Sequence, residues 1–360
     1  MGRPSFPRNV REFQAWFPDE AACHRYLAQS RWPDGFVCPS CSHPGGYEIT
    51  TSVKSRAKTA TAYTPRRSKT LWECPACGKQ TSVTSGTVLD HTRLPLTTWF
   101  YTAFLVATDK RGMSATLLDR QLDLGNHKTA WFMLHKLRRA MVNANRTKLS
   151  GVVEMDGTFV GGYQPGLKGG RQRKGRKSAM VLAAVEVLTR TRTDAHGNQT
   201  THEVAGRLRL ECARDENAPW IADFIGRNVE PGSTIRSDGL HGYQEATREL
   251  GYGHIRRVQG NIRATGVQVV PLAHRAISNL KAWLVGTHHG VGRPHLQAYL
   301  DEFVFRFNRR QNPEAAFQTL LGLGSQHAPV RRATIVGASD LPYYYEGDEI
   351  TGGAAAGAAP

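Results

Sequence analysis

Residues 151–162 read GVVEMDGTFVGG and residues 232–243 read GSTIRSDGLHGY. In each, a strand-like apolar run leads to an aspartate followed at once by glycine: Asp156 and Asp238. A carboxylate in that position does little for a hydrophobic core. It is well placed to hold a divalent cation.

Around these two positions the pattern is strand-like at 151–160, 179–188 and 204–212, helical near 218–228, and strand-like again at 233–237. Three strands, a helix and a strand carrying an acidic residue is the element order of an RNase H-like fold, a mixed sheet flanked by helices. Its first and fourth strands lie side by side, which would bring Asp156 and Asp238 together. Two aspartates rarely suffice for two-metal phosphoryl transfer, so a third ligand is expected further along.

The helix at 272–285, LAHRAISNLKAWLV, supplies the candidates. At about 100° per residue, His274 and Lys281 fall within about 20° of each other, whereas Asn279 points about 140° away from His274. Ile277, Leu280 and Leu284 define the buried stripe, and His274 and Lys281 border it. His274 is therefore the expected third ligand, with Lys281 contacting phosphate and Asn279 in reserve; an ordinary surface or capping histidine is the alternative. Imidazole suits Mn²⁺ better than Mg²⁺. In the next helix, HLQAYLDEFVFRFNRR, Glu302, Arg306 and Arg309 are spaced i, i+4, i+7 on one face. Either that face is a solvated salt-bridged surface, or Glu302 orients the arginines toward DNA or helps the metal site.

The 360 residues allow two or three domains, and 47 Lys and Arg against 30 Asp and Glu give a net charge of +17. Such an excess is the footprint of a protein that neutralises a phosphate backbone. The charge is concentrated in KGGRQRKGRKS at 168–178, where Arg171, Arg173 and Lys174 are candidate backbone contacts. No run of about 18 apolar residues occurs, and MGRPSFPRNVREF has no signal-peptide core, so a cytoplasmic protein with no membrane partner is expected.

Four of six cysteines form two Cys-x-x-Cys pairs, Cys38 with Cys41 and Cys74 with Cys77. In a reducing compartment this reads as a structural Zn²⁺ ribbon, with His43 a weaker substitute ligand. Cys23 and Cys212 read as buried thiols. Residues 94–108 form an aromatic-rich helix, and 114–141 divide at Leu124-Gly125-Asn126 into two helical stretches with Ser114 and Asn126 as N-caps, the helix-turn-helix pattern. His127 and Lys128 open the second helix, where base-reading side chains sit, and Lys136, Arg138 and Arg139 add a basic run; a helical hairpin with no DNA role is the alternative. The expected organisation is multidomain α/β: an N-terminal helix at 1–35, a zinc ribbon at 36–90, helix-turn-helix at 91–148, the RNase H-like catalytic domain at 149–322, and a tail at 323–360 whose last part is disordered.

Taken together, RWPDGFVCPSC, CPACGKQTSVTSGTVLDHTRLPLTTWF, SATLLDRQLDLGNHKTAWFMLHKLR, EMDGTFVGG, SDGLHGY, HRAISNLKAWLVGTHHGV and HLQAYLDEFVFRFNRR resemble bacterial insertion-sequence transposases of the DDE superfamily. The resemblance covers about residues 15–322 and is to the subgroup with an N-terminal zinc ribbon, whose third ligand, Glu, Asn or His, is followed by Lys. It implies that Asp156 and Asp238 are the first two ligands and that Lys281 marks His274 as the third, where most relatives carry glutamate. It also implies that Glu302, Arg306 and Arg309 form the subgroup's Glu-x3-Arg-x2-Arg signature. The implied activity is Mg²⁺- or Mn²⁺-dependent phosphodiester hydrolysis and strand transfer by a nucleoid-associated homodimer or larger assembly that binds terminal inverted repeats and target DNA. The competing readings are a DNA-binding regulator whose catalytic half has lost its chemistry, and a nuclease or resolvase of similar fold that cleaves without joining.

Overall fold

The computed structural model describes residues 6–53, 67–143, 146–161, 178–194, 196–257, 269–330 and 332–336. In chain order the elements are α1 (Val10–Trp16), α2 (Glu20–Arg31), β1 (Tyr47–Val53), β2 (Arg67–Glu73), β3 (Gln80–Thr81), α3 (Leu96–Thr108), α4 (Ala115–Leu122) and α5 (His127–Ala140). There follow β4 (Val152–Val160), β5 (Ala179–Thr193), β6 (Gln199–Ala213), α6 (Ala218–Asn228), β7 (Thr234–Ser237), α7 (His241–Leu250), β8 (Gly253–Arg256), α8 (Pro271–His288), α9 (Leu296–Asn308), α10 (Pro313–Gln326) and α11 (Arg332–Val336). The chain divides into two compact units, one of Met1–Ala140 with Asn312–Arg331, the other of Met141–Gln311 with Arg332–Pro360.

In the first unit, helix starts are set by side-chain caps. Asn9 accepts from the Glu12 amide, Asp19 from Ala22 and Ser114 from Leu117. Helix α3 begins after Pro95, which offers no cap; Glu20 instead accepts the Leu96 and Thr97 amides at 2.9 and 2.8 Å. The core is an aromatic cluster in which Phe317 of α10 meets Phe13, Phe17, Tyr26, Phe100 and Phe104. The sequence pattern places residues up to 322 in the catalytic domain and 323–360 in a tail, whereas Asn312–Arg331 group with the first unit, because this cluster ties α10 to the N-terminal helices. Strands β1, β2 and β3 form an antiparallel sheet that carries the second cysteine pair at the end of β2.

The second unit is a mixed α/β fold built on one five-stranded sheet in the order β6-β5-β4-β7-β8. Strands β4, β5 and β6 are antiparallel neighbours, whereas β7 is parallel to both β4 and β8. The first and fourth strands of the unit are thus adjacent. One face packs Val153, Met155, Leu182 and Ile235 against α6 and α7; the other packs Val181, Ala183, Leu208 and Leu210 against α8 and α9. Covered on both sides, residues 179–186 of β5 are buried without interruption, which explains their continuous apolar run. The β5–β6 hairpin extends beyond the expected strands, from 189 to 203, as an exposed ribbon of Thr, Arg and Gln. Among the described residues no helix is long and apolar enough to cross a membrane.

Strand β6 lies at the sheet edge, and α9 closes that edge with side-chain amides. Asn308 accepts the Leu208 amide at 2.7 Å and donates to the Leu208 carbonyl at 3.2 Å. Gln297 accepts the Cys212 amide at 2.9 Å and donates to the Leu210 carbonyl at 3.3 Å. Each amide mimics a neighbouring strand and blunts a pairing template. Asn308→Ala should therefore cost about 1–3 kcal/mol by stranding backbone groups, read as a lower urea midpoint, with increased aggregation on partial unfolding; an unchanged midpoint would show that water replaces the amide without loss.

Candidate functional site

The site is built outward from Glu154, which is fully buried on β4. Parallel pairing places Val152, Val153 and Glu154 opposite Thr234, Ile235 and Arg236. Glu154 Oε1 accepts from Arg236 Nη1 at 3.1 Å, while Oε2 accepts the Leu272 and Ala273 amides at 2.7 and 3.0 Å. Helix α8 starts with Pro271 and has no side-chain cap of its own, so this carboxylate serves its orphan amides and its positive dipole end. Arg236 also grips Glu203 at 2.7 and 2.9 Å, which holds the Glu203 carboxyl below its ordinary range.

Two residues beyond Glu154 stands Asp156, two residues beyond Arg236 stands Asp238, and one residue beyond Ala273 stands His274. Period-two alternation sends Asp156 to the same face as Glu154, toward α8. His274 Nε2 lies 3.4 Å from Asp156 Oδ2, and Asp156 Oδ1 accepts the Gly157 amide at 2.9 Å. Asp238 Oδ1 accepts the Leu240 amide at 2.9 Å, which turns the chain from β7 into α7. Asp156 does not end its strand: pairing with β5 continues through Val160, so the aspartate sits mid-strand where neighbours fix its direction.

A buried tyrosine marks the convergence. Tyr243 of α7 donates to Glu216 at 3.0 Å. Burial first, and then the negative charges of Glu216, Asp156 and Asp238, push the Tyr243 hydroxyl well above its ordinary range. The Glu216 carboxylate also fills the space a side chain at position 157 would need, which accounts for glycine after Asp156. Spacing gave no hint of Glu216 or Tyr243. Glu154 and Arg236 were findable, since Glu-x-Asp and Arg-x-Asp on parallel neighbours place opposite charges side by side.

Of the other expected residues, Lys281 is exposed two turns along α8 from His274, and Asn279 is exposed as well. Glu302, expected among the catalytic groups, is fully buried with Arg306 Nη1 at 3.8 Å. Burial thus turns this carboxylate inward beside Arg306 rather than onto an exposed salt-bridged face. Arg306 lies over Trp283 at 5.8 Å and Arg309 over Phe305 at 3.9 Å. His127 and Lys128 are exposed at the start of α5, and Arg139 is half-buried. Two basic residues of α5 depart from expectation. Arg138 is buried, and Lys136, half-buried about 160° around the helix from it, reaches the Asp90 carbonyl at 3.4 Å and lies over the Trp99 ring. Arg171, Arg173 and Lys174 lie outside the described residues.

The second candidate centre is the cysteine quartet. Cys38 and Cys77 sulfurs are 3.7 Å apart, Cys41 and Cys74 3.6 Å, and all four lie within 4.8 Å of one another. Four thiolates at about 2.3 Å from a tetrahedral zinc ion stand about 3.8 Å apart. The residues therefore fit structural zinc. Both knuckles turn through a left-handed residue after the second cysteine, Gly78 at φ 68° and Ser42 at φ 59°. Among the described residues only this quartet gathers three or more such ligand atoms so closely; Asp156, Asp238 and His274 do not gather to that extent.

Residues 148–308 match the family described as ISXO2-like transposase domain, and residues 18–80 match the transposase zinc-ribbon domain. The chain is 26% identical over 318 residues, 85% of its own length and 97% of the relative's, to a Halobacterium salinarum protein described as an uncharacterized protein in transposable element ISH50. A chain of a simian T-cell lymphotropic virus intasome in complex with PP2A regulatory subunit B56 gamma aligns over 69% of this chain and 76% of that one at 14% identity. Its TM-score of 0.22 carries no argument.

Two outcomes follow from this geometry. Glu154→Ala should lower stability by about 3–5 kcal/mol in urea denaturation, because it leaves two helix amides buried without their acceptor and Arg236 held by Glu203 alone; a loss below about 1 kcal/mol would show that the carboxylate does not tie the elements together. Cys74→Ser should abolish stoichiometric zinc in metal analysis of the purified protein and lower the melting temperature, whereas retained zinc would mean that three thiolates suffice.

Proposed function

The chain belongs to the insertion-sequence transposases that carry an N-terminal zinc ribbon, and on that premise we propose that it is an active DNA transposase of the DDE type. Its RNase H-like unit hydrolyses a phosphodiester at the element end and joins the freed 3′-hydroxyl to target DNA. The observation that carries this reading is the contact of His274 with Asp156 at 3.4 Å, on elements fixed by the same buried carboxylate that positions the strand of Asp238.

Two carboxylates and an imidazole form an oxygen-rich donor set with one borderline ligand, suited to Mg²⁺ and better to Mn²⁺. When bound, such cations activate the attacking oxygen and stabilise the leaving one. Asp156 and Asp238 supply the negative charge that draws them. His274 supplies a third donor without a third carboxylate's repulsion. Lys281, exposed on the same side of α8, and Arg306 of α9 hold scissile and flanking phosphates.

Recognition of the terminal inverted repeats falls to the zinc ribbon and to helices α4 and α5, with His127 and Lys128 presented at the exposed start of α5. The turn between those helices is tight, with Asp123 and Gly125 both left-handed, and Asn126 accepts the Lys128 amide at 2.8 Å. Because two element ends must be held together, the working form is a homodimer or larger assembly. The protein acts in the bacterial cytoplasm, on the nucleoid.

A linear DNA ending in the element's own inverted repeat tests the proposal. With Mn²⁺ or Mg²⁺ the wild-type protein should nick that end and join it to a second duplex, and Asp156→Ala should reduce cleavage to background with repeat binding unchanged in a gel-shift assay. His274→Glu should move the metal preference from Mn²⁺ toward Mg²⁺. Binding without cleavage by the wild type would make the protein a DNA-binding regulator; cleavage without joining would make it a nuclease.

A further inference from the structure

A polar cavity of about 440 Å³ opens in the same unit between residues 141–143, Arg146 and Thr147, edge strand β6 and helix α9. Four arginines line it: Arg146, Arg207, Arg209 and Arg309. Two have carboxylate partners outside the cavity, since Arg146 contacts Glu211 at 3.4 Å and Arg207 contacts Glu186 at 2.6 Å. Arg209 is different. It is 4% exposed, its Nη1 and Nη2 reach only the Leu208 and Thr147 carbonyls at 3.0 and 2.7 Å, and its Nε has no hydrogen-bond partner among the described residues. The one carboxylate on the wall, Asp301, accepts from Gln297 at 3.0 Å.

A guanidinium this buried with no carboxylate against it is costly unless an anion completes it. Burial, and then the positive charges of Arg146 and Arg207, lower Arg209 to about 9, against a smaller opposite pull from Glu211 and Glu186. Guanidinium groups in a fixed fork match phosphate oxygens. Val304 and Phe305 supply an apolar part of the wall, beside the polar Asn143 and Asn308. The volume exceeds what a bare phosphate fills and lies in the range of small-molecule sites.

We propose that this cavity is a nucleotide-phosphate site, in which Arg209 and Arg309 bind the phosphate and the Phe305 wall receives the attached nucleoside. No catalytic cation takes part, and the site is independent of the chemistry at Asp156. The phosphate comes either from a DNA strand led past α9 or from a free nucleotide.

The full-length, zinc-loaded protein is titrated by isothermal calorimetry, without Mg²⁺ or Mn²⁺, with inorganic phosphate, deoxyadenosine monophosphate and a single-stranded 5′-phosphorylated tetranucleotide. The mononucleotide or the tetranucleotide should bind, with Arg209→Gln weakening that binding at least tenfold and Asp156→Ala leaving it unchanged. Saturation by the mononucleotide assigns the phosphate to a free nucleotide; binding of the tetranucleotide alone assigns it to a DNA strand. Because Arg209 is buried, Arg309→Gln, on a partly exposed residue, is measured in parallel, with circular dichroism melting to confirm folding, and the same weakening is expected. Absence of binding by both nucleotide probes, binding undiminished in the folded Arg309→Gln variant, or a loss equally produced by Asp156→Ala would overturn the proposal. Retained repeat-end cleavage alongside absent nucleotide binding would remove this site and leave the transposase reading intact.

Discussion

One buried carboxylate organises the catalytic unit. Glu154 accepts three hydrogen bonds from two other elements, β7 and α8, while sitting in the middle of a sheet that is covered on both faces. An isolated carboxylate there would be expelled or neutralised. This one is retained because a guanidinium and two amides at a positive helix end surround it. The consequence is positional. Asp156, Asp238 and His274 each stand one or two residues beyond a partner in this network, so three side chains from distant parts of the sequence inherit one shared origin. Functional groups must be held to within about half an ångström, and short tethers from a rigid node achieve that better than loops.

The same device recurs where regular caps are missing. Helices α3 and α8 both begin at prolines, and both borrow a glutamate from elsewhere, Glu20 in one case and Glu154 in the other. The free edge of β6 borrows Gln297 and Asn308. Arg31 holds the Ser82 and Val83 carbonyls at 3.2 and 2.9 Å, fastening α2 to the chain that follows the ribbon. Each long-range bond satisfies backbone groups that would otherwise be buried unpaired, and each selects one docking of its element. Stability and register come from the same contacts.

These cross-links explain which features could be read from the sequence. The zinc knuckles, the strand order and the split at Leu124-Gly125-Asn126 are local or periodic signals, and they survive in the structure with small boundary shifts. His274 and Ile277, Leu280 and Leu284 were separable by helical angle alone. Charge was less legible: Lys136 and Arg138 look like a basic surface in sequence, but Arg138 falls on the packed side of the helix and the long Lys136 side chain folds back onto Asp90 and Trp99. Glu302 has the right spacing for an exposed salt-bridged face and is fully buried instead. Glu216 and Tyr243 belong to no motif, because their role depends on where α7 crosses the sheet. The Asn9–Glu12 cap of α1 was present as a pattern, but seven residues are too few for periodicity to reveal the helix.

The charge distribution around Asp156 also gives a reason for histidine at position 274. Asp156, Asp238 and Glu216 already crowd Tyr243, and the tyrosine hydroxyl responds to all three. A glutamate at 274 would add a fourth carboxylate against Asp156, and like charges at such short range oppose one another strongly where water is partly excluded. Imidazole keeps a lone-pair donor in the same place while lowering that repulsion. Histidine at 274 thus stands 3.4 Å from Asp156 without a further negative charge, beside a helix end that Glu154 fixes against the sheet.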